Sequence, residues 1–175
     1  MRKVAVASII VILGALLCGC SESEEAPAPV LITKDASEIA LRLEDVATME
    51  ESATQHGWSQ TEASVAIQMF HQGAQSTYGV EFFRALSLFW GWSEQYIYNE
   101  VAVFPSIELA HQAYKENESK LDANTSDPHI GDESYLYRNT GRSIVFRRNN
   151  VLVKIRLTFL EDIKPYARIC EDRAS

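Results

Sequence analysis

The sequence predicts an α+β domain built on a mainly antiparallel sheet of about five strands, with helices packed on one face. Three observations lead to it. Residues 78–104 and 142–157 are dense in β-branched and aromatic residues, and each stretch is interrupted by a reversal signal, as hairpins require. Between them, after Pro105-Ser106, the apolar residues switch from alternation to helical spacing. A short amphipathic run from Ile163, with Pro165 in its first turn, closes the chain.

Taken in order, Asp35 with Glu38 three residues on has the form of a capping box. Ile39, Leu43, Val46 and Met49 then predict a helix over about 36–50, although Ile39, Leu41 and Leu43 also alternate as a strand would. Ser59 and Glu62 repeat the capping signature, and Val65, Ala66, Met69 and Phe70 share one side of a helix that Gly73 would stop. The first hairpin runs from Tyr78 to Phe89, reverses at Trp90-Gly91-Trp92-Ser93 and returns from Gln95 to Phe104. Ser106 caps a helix with Ile107, Ala110, Tyr114 and Leu121 on one side and Lys115, Glu116, Glu118 and Lys120 on the other. Residues 122–131 form a loop that leads to a strand at Tyr135 to Arg138.

The second hairpin turns at Asn149-Asn150, since asparagine tolerates the positive φ that a type I′ turn needs at both positions. That turn pairs Phe146 with Val153 and Ile144 with Ile155 on one face. On the other it pairs Arg147 with Leu152, Val145 with Lys154 and Ser143 with Arg156. One face is then apolar and the other mixed and basic. Tyr166 and Ile169 point inward from the last helix.

Ahead of the domain, Arg2 and Lys3 precede an apolar run from Val4 to Leu17. As a helix that run rises about 21 Å against a hydrocarbon core of about 30 Å, which suits an export signal better than a permanent span. Leu17-Cys18-Gly19-Cys20 resembles the lipobox of bacterial lipoproteins, and the resemblance implies cleavage before Cys20 and acylation of its sulfur. Residues 1–19 are thus expected to be a lipoprotein signal peptide and 20–34 a lipidated, flexible tether. The SESEEAPAP stretch in that tether is extended and solvated, with a reach of about 25 Å. A single domain follows over 35–175. The expected location is a membrane-anchored one on the extracytoplasmic face, periplasmic or cell surface.

The stretches Asn99-Glu100-Val101-Ala102-Val103-Phe104-Pro105-Ser106, Glu108-Leu109-Ala110 and Ile130-Gly131-Asp132-Glu133-Ser134 resemble a pattern of small prokaryotic lipoproteins: strand, helix, GDES, hairpin. A sheet backed by helices is also similar to the PsbP/Mog1-like folds of exported accessory proteins. The resemblance implies a fold and a location and carries over no catalytic residue.

Charge and cysteine usage narrow the function classes. Loss of residues 1–19 removes Arg2 and Lys3 and leaves 14 basic against 24 acidic residues, a formal −10 that disfavours nucleic acid as a partner. Of three cysteines, Cys170 alone is left without a role in export or anchoring, so there is no disulfide framework. It reads as a small hydrophobe on the last helix.

Trp90, Trp92, Tyr96 and Tyr98, with Trp58 upstream, could line a sugar or lipid pocket or pack as core. Arg147, Lys154 and Arg156 share a hairpin face and could dock an acidic partner, or be an ordinary solvated face. Asp127, His129, Asp132 and Glu133 crowd one loop without a known metal-ligand spacing, and Ser134 beside them lacks the G-x-S-x-G elbow of a hydrolase. No catalytic residue, metal site or cofactor is assigned.

The expected function is a non-catalytic binding or accessory module whose ligand is an envelope protein or a small molecule. One alternative is an envelope hydrolase assembled from distant residues such as His111, His129 and Glu100; another is a structural spacer. The export reading has a direct check. Labelled palmitate fed to cells enters the chain and fails to enter Cys20→Ala, and a chain whose starting methionine survives Edman sequencing refutes the signal peptide.

Overall fold

The computed structural model describes residues 30–48, 57–62, 72–88, 91–120, 127–138, 141–159 and 162–175. The expected signal peptide and Cys20 lie outside them. In chain order the elements are α1 (Ala36–Ile39), α2 (Leu43–Thr48), β1 (Ser59–Glu62), β2 (Ser76–Leu88) and β3 (Gly91–Val103). After these come α3 (Ile107–Ser119), β4 (Glu133–Arg138), β5 (Arg142–Arg148), β6 (Val151–Leu157) and α4 (Lys164–Arg173). The strands form one antiparallel sheet in the order β1-β2-β3-β6-β5-β4, so the fold is α+β with six strands instead of about five. Among the described residues no helix is long and apolar enough to cross a membrane.

The extra strand is β1, where a helix start was expected. Ser59–Glu62 pair with Val80–Phe83 along the free edge of β2, and that ladder satisfies backbone groups a cap would have left to side chains. The remainder of the helix expected up to Gly73 lies largely outside the described residues. The first hairpin also turns earlier than expected: Leu88 pairs with Gly91, so Trp92 and Ser93 are strand residues opposite Ser87 and Leu86. Trp90 and the side chain of Trp92 are not among the described parts.

The second hairpin has the predicted register, residue for residue. Its turn type differs. Asn149 has φ +53 and Asn150 is not in the positive-φ region, which is the φ pattern of type II′. Asn150 is spent on something else: its side chain is 2% exposed and reaches out of the turn to hold the incoming chain. The Asn150 Oδ1 accepts from Ile32 N at 2.7 Å, and Nδ2 donates to Ile32 O at 3.0 Å and to Phe104 O at 2.7 Å. The packed body therefore takes in Ile32, upstream of the expected start at Asp35.

The helix expected over 36–50 is two short ones. The Asp35/Glu38 capping box forms, but Ala40 leaves the helical region with ψ 158 and Leu41 N donates to the buried Asn99 Oδ1 at 2.7 Å. Ile39, Ala40 and Leu41 are all buried, and one helix face cannot bury three consecutive residues.

Alternation sorts the core into two layers. Val80, Phe82, Ile97, Val153 and Ile155 point to one face, which α1, α2 and α4 cover with Ala36, Ile39, Val46, Tyr166, Ala167 and Cys170. Ala102, Val145, Leu152 and Tyr135 point to the other, where α3 lays down Ala110 and Tyr114, and Phe104 joins them. The helices thus occupy both faces, where one was expected, because β5 and β6 are apolar at enough positions of both parities to bury both sides. Ser106 caps α3 through Leu109 N as expected, and Leu121 lies outside the described residues.

Removing the Asn150 amide strands three buried backbone groups. Asn150→Ala is expected to lose about 3 kcal/mol of unfolding free energy in urea titration, whereas Asn149→Gly stays within about 0.5 kcal/mol, since glycine accepts the left-handed φ.

Candidate functional site

Because α3 lies over β5 and β6 near the β5–β6 turn, it covers only one end of its face. The uncovered part is read directly from the ladder. One row across β4, β5, β6, β3 and β2 is Tyr137, Ser143, Arg156, Tyr98 and Glu81, of which Ser143 is buried and Tyr137 packs against the layer under α3; the next row, on β3 and β2, holds Tyr96 opposite Phe83. Strand spacing makes the first row about 19 Å long.

The rings on this face form a continuous strip. Phe83 and Tyr96 have centroids 6.5 Å apart, and Tyr96 and Tyr98 lie 5.9 Å apart with planes only 16° from parallel. The Arg156 guanidinium sits 5.5 Å from the Tyr98 ring centroid, a cation–π contact. Phe83 is 38% exposed, and its ring packs across the strands on Tyr96, its register partner. The Tyr96 hydroxyl donates to Glu94 Oε2, which fixes the ring, and that bond is the main cause of its pKa rising to about 12.

Beside the strip, Lys154 Nζ lies 3.5 Å from Glu100 Oε2, with side chains 18% and 9% exposed. Burial pushes the Glu100 carboxyl above its ordinary value, partly offset by Lys154 and Arg156. Gly79 stands opposite Glu100 and contributes no side chain, so the sheet is low beside the acid.

The other sequence candidates are distributed elsewhere. Arg147 shares the face with Lys154 and Arg156 but is 7% exposed and held under α3. Its guanidinium donates to Asp132 Oδ2 at 2.9 Å and to Glu133 Oε1 at 3.1 Å. The expected open basic patch is therefore neutralised at Arg147 by two carboxylates and at Lys154 by Glu100. Trp58 is buried on the opposite face, with the Arg84 guanidinium 4.7 Å from its ring, and leaves the aromatic group.

The GDES stretch is structural. Gly131 has φ +69, and a Cβ there would sit 2.4 Å from Arg147 O, so only glycine lets the loop close on β5. Asp132 also accepts from Asn149 N and Arg148, and Ser134 Oγ donates to Asp127 and accepts from Ile130 N. Those bonds spend the loop carboxylates on arginines, backbone, the Ser134 hydroxyl and histidines, and among the described residues no three His, Cys, Asp or Glu side chains are grouped to hold a metal ion. His129 pairs with Asp127, His111 with Glu133, and Glu100 with Lys154, so the three residues of the hydrolase reading are in three places. Cys170 is fully buried and desolvation pushes its thiol up to about 12, which makes it a core residue and not a nucleophile.

Sequence reading missed Phe83, Glu81 and Tyr137. Phe83 was legible once the turn is set between Leu88 and Gly91, which makes it the partner of Tyr96.

The buried pair has a pH signature. A raised carboxyl pKa means the folded protein holds that proton more tightly than the unfolded chain, so this group's contribution falls as pH climbs past the ordinary glutamate value. Lys154→Met removes the main offset. Its destabilisation is expected to be about 2 kcal/mol at about pH 7.5 and to shrink as pH falls below the ordinary glutamate value, where the charge on Glu100 is progressively lost. Urea midpoints at the two pH values check this.

No protein-family model matches this chain, and no curated protein matches it.

Proposed function

We propose that the chain is a membrane-anchored extracytoplasmic lipoprotein, held by acylated Cys20, that works as a non-catalytic binding module. Its binding face is the half of the sheet that α3 leaves open. One observation carries the binding reading: Phe83, Tyr96 and Tyr98 lie side by side with Arg156 on a part of the sheet that no helix among the described residues covers. Rigid aromatic rings with few rotatable bonds lose little entropy on contact, and a guanidinium at their edge supplies directed donors. Mounting them on strands holds them in place before any ligand arrives.

Support for the anchor comes from the basic start, the apolar run and the Leu-x-Gly-Cys box. His111 and Glu100 pair with Glu133 and Lys154, and at Asp127 the Ser134 hydroxyl donates to the carboxylate instead of to His129, so no histidine is set as base to that serine, which favours binding over hydrolysis. The spacer reading needed an uncovered apolar face, and α1, α2 and α4 cover the apolar one.

Hydroxyl-radical footprinting of the full chain, alone and with an extract of its own cell envelope, tests the face. Phe83, Tyr96 and Tyr98 are expected to lose reactivity in the extract, while the exposed Leu43 and Leu109 keep theirs. Protection confined to α3 or α4, or absent everywhere, removes this surface as the site.

A further inference from the structure

The open face has a composition that selects among ligands. Its cations are Arg156 and the paired Lys154; its anions are Glu81 beside Tyr98, Glu94 on the Tyr96 hydroxyl, and Glu100. A polyanion would bring its charge against three carboxylates on a chain at −8, or −10 once residues 1–19 are removed, so phosphate-rich polymers and anionic headgroups fit poorly. Among the described residues of the strip Phe83 is the large hydrophobic side chain exposed to solvent, and a protein interface core is built on more apolar area than that.

What fits rings, carboxylates and cations together is a molecule with C–H faces and many hydroxyls. Each hydroxyl both donates and accepts, so it can meet a carboxylate such as Glu81 and a guanidinium such as Arg156 alike. Beside the rings, Glu100 and Lys154 form an ion pair at 3.5 Å, with Glu100 7% exposed.

The tether bears on the source. It joins the body at Ile32, which Asn150 pins at the end of the sheet where Val103 pairs with Val151. Tyr96 lies seven residues along β3 from Val103, or about 23 Å, toward the opposite end. The strip is thus displaced from the pole at which the chain leaves for its anchor.

We propose that the strip of Phe83, Tyr96 and Tyr98, with Arg156, Glu81 and the Glu100–Lys154 pair beside it, binds an uncharged glycan chain. The rings stack on sugar faces, and the charged groups bond its hydroxyls. This rests on the binding-face reading above and names the ligand class of that same surface.

Calorimetric titration of the full chain in detergent with tetra-N-acetylchitotetraose and with cellotetraose tests it. At least one is expected to bind with Kd of about 1 mM or tighter. Phe83→Ala and Tyr96→Ala each weaken that binding about tenfold or more, while Tyr96→Phe, which keeps the ring, stays within about threefold. Both rings sit at the surface, so unchanged far-ultraviolet circular dichroism separates loss of contact from loss of fold.

No binding of either saccharide at about 10 mM, or binding indifferent to both alanine variants, overturns the inference. So does ring-dependent binding of a short oligothymidylate or of phosphatidylglycerol vesicles in place of the sugars. If the saccharides fail while the envelope footprint on Phe83, Tyr96 and Tyr98 persists, the glycan assignment falls and the binding face stands. Loss of both removes both.

Discussion

Asn99 and Asn150 are buried amides, and each can donate twice and accept twice. That capacity matters because the chain from Ile32 to Leu41 crosses the sheet without being a strand of it, and its backbone groups have few ladder partners. Asn150 takes both backbone groups of Ile32 and the carbonyl of Phe104, while Asn99 takes the amide of Leu41 and donates to Lys154 O at 3.3 Å. Arg173 adds its own bonds to Ala40 O and Asp45 from the far end of the chain. With the segment held, Ala36, Ile39 and Val46 can close the core over Ile97, Val101 and Ile155. An apolar residue at either asparagine would keep the packing area and leave backbone groups dry and unbonded, at a cost comparable to much of a small domain's net stability.

The two faces of the sheet are consequently unequal. One carries the main core and is closed by the N-terminal segment and α4. Among the described residues the other is closed where Ala110 and Tyr114 of α3 meet Ala102, Val145, Leu152 and Tyr135. A helix of 13 residues is about 20 Å long and lies over a few strands, so a sheet with two 13-residue strands outruns it. The excess is where polar and aromatic residues alternate into solvent, and there the open strip forms. The available face follows from a mismatch of lengths, with α3 tied to one end by the short Phe104-Pro105-Ser106 connection.

Polar residues that invite a chemical reading are mostly occupied by the fold. Asp132 and Glu133 hold Arg147 and Arg148, and Ser134 braces the loop through Asp127 and Ile130. Gly131 is needed for closeness to β5. This loop and the β5–β6 turn lock each other through Asp132, which accepts from the Asn149 amide. A pattern such as GDES is then a signature of how the hairpin is braced, and its presence speaks to fold more than to reaction.

Local physics written in short stretches determined much of this protein. The capping box at Asp35, the Ser106 cap, the proline-started last helix and the whole register of the second hairpin depend on neighbours within a few residues, and all are present. So is the α+β class, and Tyr96, Tyr98, Lys154 and Arg156 do share one face. Tertiary structure decided the rest. A capping signature at Ser59 lost to the open edge of β2, a helix over 36–50 broke where Leu41 found Asn99, and Asn150 left its I′ geometry to serve as a peg. Arg147 and Lys154 met carboxylates that no nearby sequence position announces, since the partner of each is set by strand pairing and loop closure. Backbone and cap preferences are decided within a turn of chain, while ion pairs and open faces depend on which strands become neighbours.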